Sequence, residues 1–413
     1  SVRIPGVYLC SQHADKPPYL PGLERWSAYK TLWLRHWPGF RAAYNEGFKN
    51  RYGPLTAEKI TEVEKLLRCG KFGNGFQRHT CTHCGTVLVV PFTCKSRLCL
   101  SCYRKKLFGW SINLSLILNT NLDHLHVTFT VPGAISRLLL EKKYDPAGMI
   151  TEAANCYRGI LMRAAGVTGK EYAPGIIATI HRCGNALNYN PHVHLIGTSE
   201  LVNTETGEII ENGFLPFKLA RFVWMRHFLN HLVKSGVITG DERDNFINRY
   251  GNGFHVYFKP VKGDDNEILF KAAEYIASGY MHNSQIVSVD NQKMTVTFRY
   301  KSWVNRSSGE KTYAAATMDI YDFMARMLYY LPEKAAKTIR YYGIYARHID
   351  EKLAYIEKKT WREAVKRSFD KDPVQCPECG REMIGDVVYS FQAKDAVDRL
   401  IKALHRKESI VVY

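Results

Sequence analysis

Pro191-His192-Val193-His194-Leu195-Ile196-Gly197 is a short apolar run that carries two imidazoles at alternate positions. Side chains of a strand point alternately to its two faces, so His192 and His194 emerge side by side while Val193 and Leu195 turn to a core. Upstream, Gly175-Ile176-Ile177-Ala178-Thr179-Ile180 reads as another strand, ending at His181. The segment 182 to 190, with Gly184, Asn185, Asn188 and Asn190, reads as the connection between antiparallel partners. Pairing of the two strands lays His181 across from the doublet and closes a set of three nitrogens. The plainer alternative is a set of core histidines with satisfied hydrogen bonds, because the chain has 15 His and a second such pair, His124-Leu125-His126.

With 413 residues, 46% of them hydrophobic, the chain is globular and too long for one ordinary core. A formal charge of +18 suggests a polyanionic partner, since Lys and Arg that neutralise phosphates gain affinity through counterion release. A basic balance alone also fits a ribosomal or membrane-surface protein. No apolar run of about 18 residues and no signal-peptide pattern is present, so a soluble, cytoplasmic protein without a membrane partner is expected.

The 11 cysteines are unevenly spread. Cys81-x2-Cys84 and Cys99-x2-Cys102 are two thiolate knuckles at a separation suited to one tetrahedral zinc ion. Cys94 could replace a knuckle member or simply pack, and Cys69, His79 and His83 are further candidates. Such a site would fold a small domain that lacks enough core of its own. Lys95, Arg97, Arg104, Lys105 and Lys106 around it would form a basic surface for phosphates. Cys376-Pro377-Glu378-Cys379-Gly380 is a single knuckle without a visible second half. It either binds zinc with distant ligands such as Cys10 or a histidine, or holds two unligated thiols.

The aromatic run Tyr29 to Trp37 reads as core rather than a base-stacking surface, with Pro38-Gly39 interrupting it and a short helix from Phe40 to Asn50. Ile60, Val63, Leu66 and Leu67 predict an amphipathic helix from Thr56 to Arg68, capped by Thr56. Strands are predicted at His124–Val131, Ile176–His181, His192–Gly197, His255–Lys259, Gln285–Val289 and Met294–Tyr300. Helices are predicted at Thr151–Ala165, capped by Thr151, at Phe217–Ser235, ended by Gly236, and from Glu267 to Tyr280. This alternation favours an α+β fold, helices packed on one central, mainly antiparallel sheet. Beyond Lys301 the chain reads as helical, with Met318–Leu331 followed by the run Ile339 to Arg347. The expected divisions are a helical region at 1–65, a zinc-binding module at 66–110, a central α+β domain at 111–305, which the resemblance given next implies is a nuclease domain, and a helical carboxy-terminal region at 306–413.

Five motifs taken in order resemble the HUH endonucleases, and within them the rolling-circle transposases of the bacterial insertion sequence ninety-one family. They are the cysteine cluster ending Phe92-Thr93-Cys94-Lys95-Ser96-Arg97-Leu98-Cys99-Leu100-Ser101-Cys102, His126-Val127-Thr128-Phe129-Thr130-Val131-Pro132, and His181 with Pro191-His192-Val193-His194. Glu274-Tyr275-Ile276-Ala277-Ser278-Gly279-Tyr280-Met281-His282 and Arg340-Tyr341-Tyr342-Gly343 complete the set. The resemblance implies that His181, His192 and His194 hold Mg2+ or Mn2+, that Zn2+ sits in the cysteine cluster, and that His126 marks the neighbouring strand. It also implies a tyrosine nucleophile that cuts single-stranded or hairpin DNA ends, leaves a 5′-phosphotyrosine and later rejoins strands, with no nucleotide cofactor. Such a protein would work at the bacterial nucleoid.

Tyr280, flanked by Met281, ranks first as nucleophile and Tyr275 second. The family usually places its tyrosines one helical turn apart, whereas these are five apart, about 140° around an ideal helix. Phosphate contacts are expected from Lys95, Arg97, Arg104, Lys105, Arg299, Lys301, Arg340 and Arg347. The alternatives are a replication initiator or relaxase of the same chemistry, or a zinc-dependent nucleic-acid-binding protein without catalysis.

Overall fold

The computed structural model describes residues 27–71, 75–115, 117–119, 121–211, 217–261, 281–304, 310–332, 338–346, 362, 366, 372, 374–389 and 410–412. The predicted helix from Glu267 to Tyr280 lies outside them, as do Cys10, Tyr275, Tyr280 and Arg347. Two compact units make up the chain: Ser1–Gly109, Met281–Leu331 and Lys359–Tyr413 form one, Trp110–Tyr280 and Pro332–Lys358 the other. Neither is continuous in sequence, so the linear divisions at 1–65, 66–110, 111–305 and 306–413 are corrected to an interleaved arrangement.

The second unit is α+β, built on a five-stranded sheet with a small three-stranded one beside it in sequence (Tyr172–Ala173, Leu201–Asn203 and Ile209–Ile210). Its elements are β1 (His124–Phe129), α1 (Gly133–Glu141), α2 (Gly148–Ala165), β2 (Gly175–Cys183), β3 (Tyr189–Thr198), α3 (Phe217–Lys234), β4 (Val256–Val261) and β5 (Ile339–Gly343). The strand order is β5-β2-β3-β1-β4, and every neighbouring pair is antiparallel. Alternation sends Val127, Phe129, Ala178, Ile180, Val193 and Leu195 to one face, where they are buried against Tyr157, Trp224 and Phe228 of α2 and α3. The Tyr157 ring lies against Gly197, where a side chain has no room, and its hydroxyl donates to the Thr198 carbonyl at 2.8 Å. Gly236, at φ 70°, ends the predicted helix at the expected place.

Two expectations fail here for local reasons. Helix α2 starts at Gly148, a turn earlier than Thr151, and Ala147 at its start offers no side-chain cap. Thr151 instead meets the Arg340 guanidinium at 2.9 Å and the Tyr342 hydroxyl at 3.1 Å. The run from Ile339, read as helical, is the edge strand β5, with Tyr341 opposite Ile177. Three of its five residues are aromatic or β-branched, types that pack well on a pleated surface.

In the first unit, the helix Ala28–Gly47 runs straight through Pro38. Proline removes one backbone hydrogen bond, and the buried stripe Tyr29, Trp33, Trp37, Phe40 and Tyr44, at steps of four, four, three and four, outweighs that loss. The aromatic run is therefore core, as its spacing indicated. Phe40 is 0% exposed and packs edge-on against Tyr44 and Tyr321. Phe40→Ala should lower the unfolding free energy by about 3–5 kcal/mol, read from chemical denaturation midpoints. The helix Ala57–Arg68 is capped as expected, the Thr56 hydroxyl accepting from the Lys59 amide at 3.3 Å.

The strands expected near Gln285 and Met294 belong to this unit rather than to the central sheet. Ile286–Asp290 and Lys311–Asp319 flank Thr295–Val304 in a separate antiparallel sheet. The third strand occupies the start of the predicted helix from Met318, and Asp319 then caps the helix Ile320–Tyr330 through the amides of Tyr321 and Asp322. A four-stranded sheet comprises Ile384–Tyr389, Phe76–Thr80, Val87–Pro91 and Ile410–Val412 in that order. Among the described residues no helix is long and apolar enough to cross a membrane.

Candidate metal centres on the central sheet and in the cysteine module

The face of the central sheet opposite α2 and α3 carries the imidazoles. His181 of β2 lies directly across from His192 of β3, and His194 lies between Thr179 and Thr128 of the flanking strands. Their ligand atoms all lie within 4.8 Å of one another. Ring centroids are 4.4 Å apart for His181 and His194, and 4.8 Å for His192 and His194. His194 is 3% exposed, whereas the other two are half-buried, so the cluster opens to one side.

Neighbouring groups orient these rings. Nδ1–H of His192 donates to the Asn190 carbonyl at 2.7 Å, which leaves the lone pair on Nε2 to face a cation. Burial lowers the pKa of His192, the Asn190 carbonyl partly offsetting it, so the neutral ligand form is favoured. On His194, Nδ1 sits 3.0 Å from Nε2 of His126 and 3.2 Å from the Thr128 hydroxyl. Burial, then the nearby charge of Lys259, holds His126 down at about 4, so it stays neutral and its Nε2 can accept a proton from Nδ1 of His194. A cation would then take Nε2 on the other side of the His194 ring. His124, the other half of the upstream pair, stacks on Tyr345 and meets its hydroxyl at 2.6 Å beside the apolar cluster of Leu114, Ile177 and Ile196. The orienting part of His126 was not foreseen from sequence, because it depends on register across β1 and β3.

The cysteines form two groups instead of the single expected site. Cys69, Cys94, Cys99 and Cys102 make one, Cys81, Cys84, Cys376 and Cys379 the other. The hairpin explains the regrouping. Its turn carries Cys81 and Cys84 at one end of strands five residues long, while the return strand delivers Cys94, Cys99 and Cys102 to the other end. Five residues of strand span about 16 Å, far beyond the reach of one ion.

In the first group, sulfur separations of 3.5 Å for Cys69 and Cys102, 3.6 Å for Cys94 and Cys102, and 3.9 Å for Cys69 and Cys99 approach the edge of a zinc tetrathiolate. That edge is about 3.8 Å for Zn–S bonds near 2.3 Å. The Ser96 amide points at the Cys94 sulfur from 3.4 Å, a donor suited to thiolate. Neither His79 nor His83 joins a group among the described residues.

The expected phosphate-binding cations divide. Lys95, Arg104 and Arg299 are exposed, and Lys105 and Lys301 are half-buried. Arg97 is tied into the fold by an ion pair to Glu58 at 3.4 Å and an amide bond to the Glu62 carboxylate at 3.1 Å. Arg340 pairs in register with Ala178, which places it on the helix-covered face, away from the imidazoles. Both guanidinium groups are thus engaged within the fold.

Comparison with known proteins adds an independent line. A family described as "Putative transposase" matches residues 175–352, and one described as "Transposase zinc-binding domain" matches residues 36–131. The first span contains the three imidazoles; the second contains the thiols from Cys69 to Cys102. A Sinorhizobium fredii protein described as a "Putative transposase" is 23% identical over 81% of this chain and 90% of its own length. A Pseudomonas savastanoi protein, described as the transposase for insertion sequence element IS801, is 23% identical over 80% of this chain and 84% of its own length. No solved structure matches the chain.

Proposed function

The chain belongs to the insertion sequence ninety-one family of transposases, and from that premise we propose that it nicks and rejoins single-stranded DNA at element ends through a tyrosine nucleophile and a histidine-held divalent cation. The observation that carries this reading is the convergence of His181, His192 and His194 on the open face of the sheet. Three imidazole nitrogens with one side exposed suit a catalytic site, which keeps coordination positions for substrate. Mg2+ or Mn2+ held there would draw charge from an oxygen of the scissile phosphate and orient it for in-line attack.

The chain's own groups supply the rest. Strands fix the imidazoles in place, Asn190 and His126 set their tautomers, and Tyr280, with Tyr275 as second choice, provides the attacking oxygen. The phenol oxygen bonds to phosphorus as the bond to the 3′ oxygen breaks, and that oxygen leaves with a proton. The 5′-phosphate remains on the tyrosine as a phosphodiester, so a later 3′-hydroxyl can reverse the step without a nucleotide cofactor. Lys95 and Arg104 offer exposed charge, and Arg299, Lys301 and Tyr313 share the outward face of the separate three-stranded sheet. The Arg299 guanidinium lies 5.2 Å over the Tyr313 ring, an arrangement that can hold a phosphate beside a stacked base. Zn2+ belongs to Cys69, Cys94, Cys99 and Cys102.

The test is to incubate the full chain and Mn2+ with a 3′-labelled single strand carrying an element end. An adduct that survives denaturing electrophoresis and is lost on proteolysis supports the proposal; its absence with both Mn2+ and Mg2+ sinks it. The orienting role of His126 has its own expected result. His126→Ala should weaken Mn2+ binding roughly 10- to 100-fold, measured by electron paramagnetic resonance of free Mn2+, while DNA affinity stays within about twofold.

A further inference from the structure

We propose that the protein carries a second structural zinc, a clasp in which Cys81 and Cys84 of the amino-terminal hairpin and Cys376 and Cys379 of the carboxy-terminal segment supply four thiolates to one ion. The matched zinc-binding span ends at residue 131, so it contains only half of this ligand set.

The geometry of the two halves carries the argument. Cys81 and Cys379 sulfurs are 3.5 Å apart, as are those of Cys84 and Cys376, close to the tetrathiolate edge and well beyond a disulfide bond of about 2.05 Å. The two knuckles are built alike. The Cys81 amide donates to the Thr86 carbonyl at 2.9 Å, and the Cys376 amide to the Arg381 carbonyl at 2.7 Å. Gly85 returns its amide to Cys81, and Gly380 returns its amide to Cys376, each at 3.0 Å. Both glycines take left-handed backbone, φ 72° and 73°, which closes each turn without a Cβ penalty. Two segments almost 300 residues apart thus repeat one turn and present it face to face, an arrangement that needs a shared ligand to explain it.

Among the described residues, the apolar cluster between the two knuckles consists of Cys81, Cys376 and Met383, with Cys379 against it. Closing a loop between residues 292 apart in sequence costs entropy that an ion shared by the two knuckles would help to offset. An ion there also explains how Ile384–Tyr389 is held beside Phe76–Thr80, in a ladder that starts just past both knuckles. Four sulfurs in a tetrahedral, redox-inert setting favour zinc over harder cations. The clasp is also the more accessible of the two thiol groups, since Cys84 is exposed, whereas three of the four thiols in the other group are buried.

The test counts metal in the full-length protein under reducing conditions and does not read DNA cleavage, so its outcome is separate from that of the proposed nickase. Plasma mass spectrometry should find two zinc ions per chain, one in Cys376→Ser/Cys379→Ser, and one in Cys81→Ser/Cys84→Ser. In both variants limited proteolysis should release the carboxy-terminal segment at least tenfold faster. A wild-type chain with one zinc, or a Cys376→Ser/Cys379→Ser chain that keeps two, overturns the clasp. Should the variants fail to fold, cobalt titration of the wild-type chain decides. Thiolate-to-cobalt absorption that rises to two equivalents supports the proposal, and saturation at one overturns it.

Discussion

His194→Ala is expected to slow nicking of single-stranded DNA by roughly a hundred- to a thousand-fold, because a cation that polarises phosphate contributes several kcal/mol to the transition state and each 1.4 kcal/mol is about tenfold. His194 is 3% exposed and sits between His181 and His126, so its loss also opens a small buried gap. His192→Ala is the cleaner companion. That ring is half-buried and hydrogen-bonds the Asn190 carbonyl in its own strand, so its removal disturbs less packing than loss of His194. Both variants should bind an end oligonucleotide normally by fluorescence anisotropy and should show a cleavage rate that no longer rises with Mn2+. A His192→Ala protein that keeps both rate and metal dependence removes the ligand assignment.

Under the proposed mechanism Tyr280→Phe should abolish the covalent adduct, since phenylalanine keeps the ring and deletes the side-chain oxygen that would bond phosphorus. The substitution leaves volume nearly unchanged, so oligonucleotide affinity and thermal stability should match the wild-type chain. Tyr275→Phe is the control. Full capture by Tyr280→Phe together with loss in Tyr275→Phe transfers the nucleophile to Tyr275. Loss in neither excludes both residues, and the tyrosine chemistry then needs another donor. Peptide mapping of the adduct identifies the modified residue directly.

Much of the central sheet was readable beforehand because strand alternation is a local property. Val193 and Leu195 are buried on one face and His192 and His194 emerge on the other, as the period of two requires. The antiparallel pairing of Gly175–Cys183 with Tyr189–Thr198 followed from a short, Asn-rich connection, and His181 does lie opposite His192. The aromatic stripe beginning at Tyr29 declared itself core by its spacing, yet the same spacing could not show that the helix survives Pro38. Strand Ile339–Gly343 was missed because an edge strand of five residues has too short a pattern to stand out beside a helical neighbour. The face that Arg340 occupies is likewise set only once the strand is placed against Ala178.

The sequence by itself determined the ligand types and their short-range spacing: the alternate histidines, the CxxC turns, the basic excess and the periodicity of each element. Those features depend on backbone geometry over a few residues, which any observer of the chain can count. Only the tertiary structure decided which distant pieces meet. It divided the cysteines between the two ends of one hairpin, brought Cys376 and Cys379 to Cys81 and Cys84, and turned His126 onto His194. Partners so far apart are selected by the packing of the whole molecule, and no spacing along the chain encodes them.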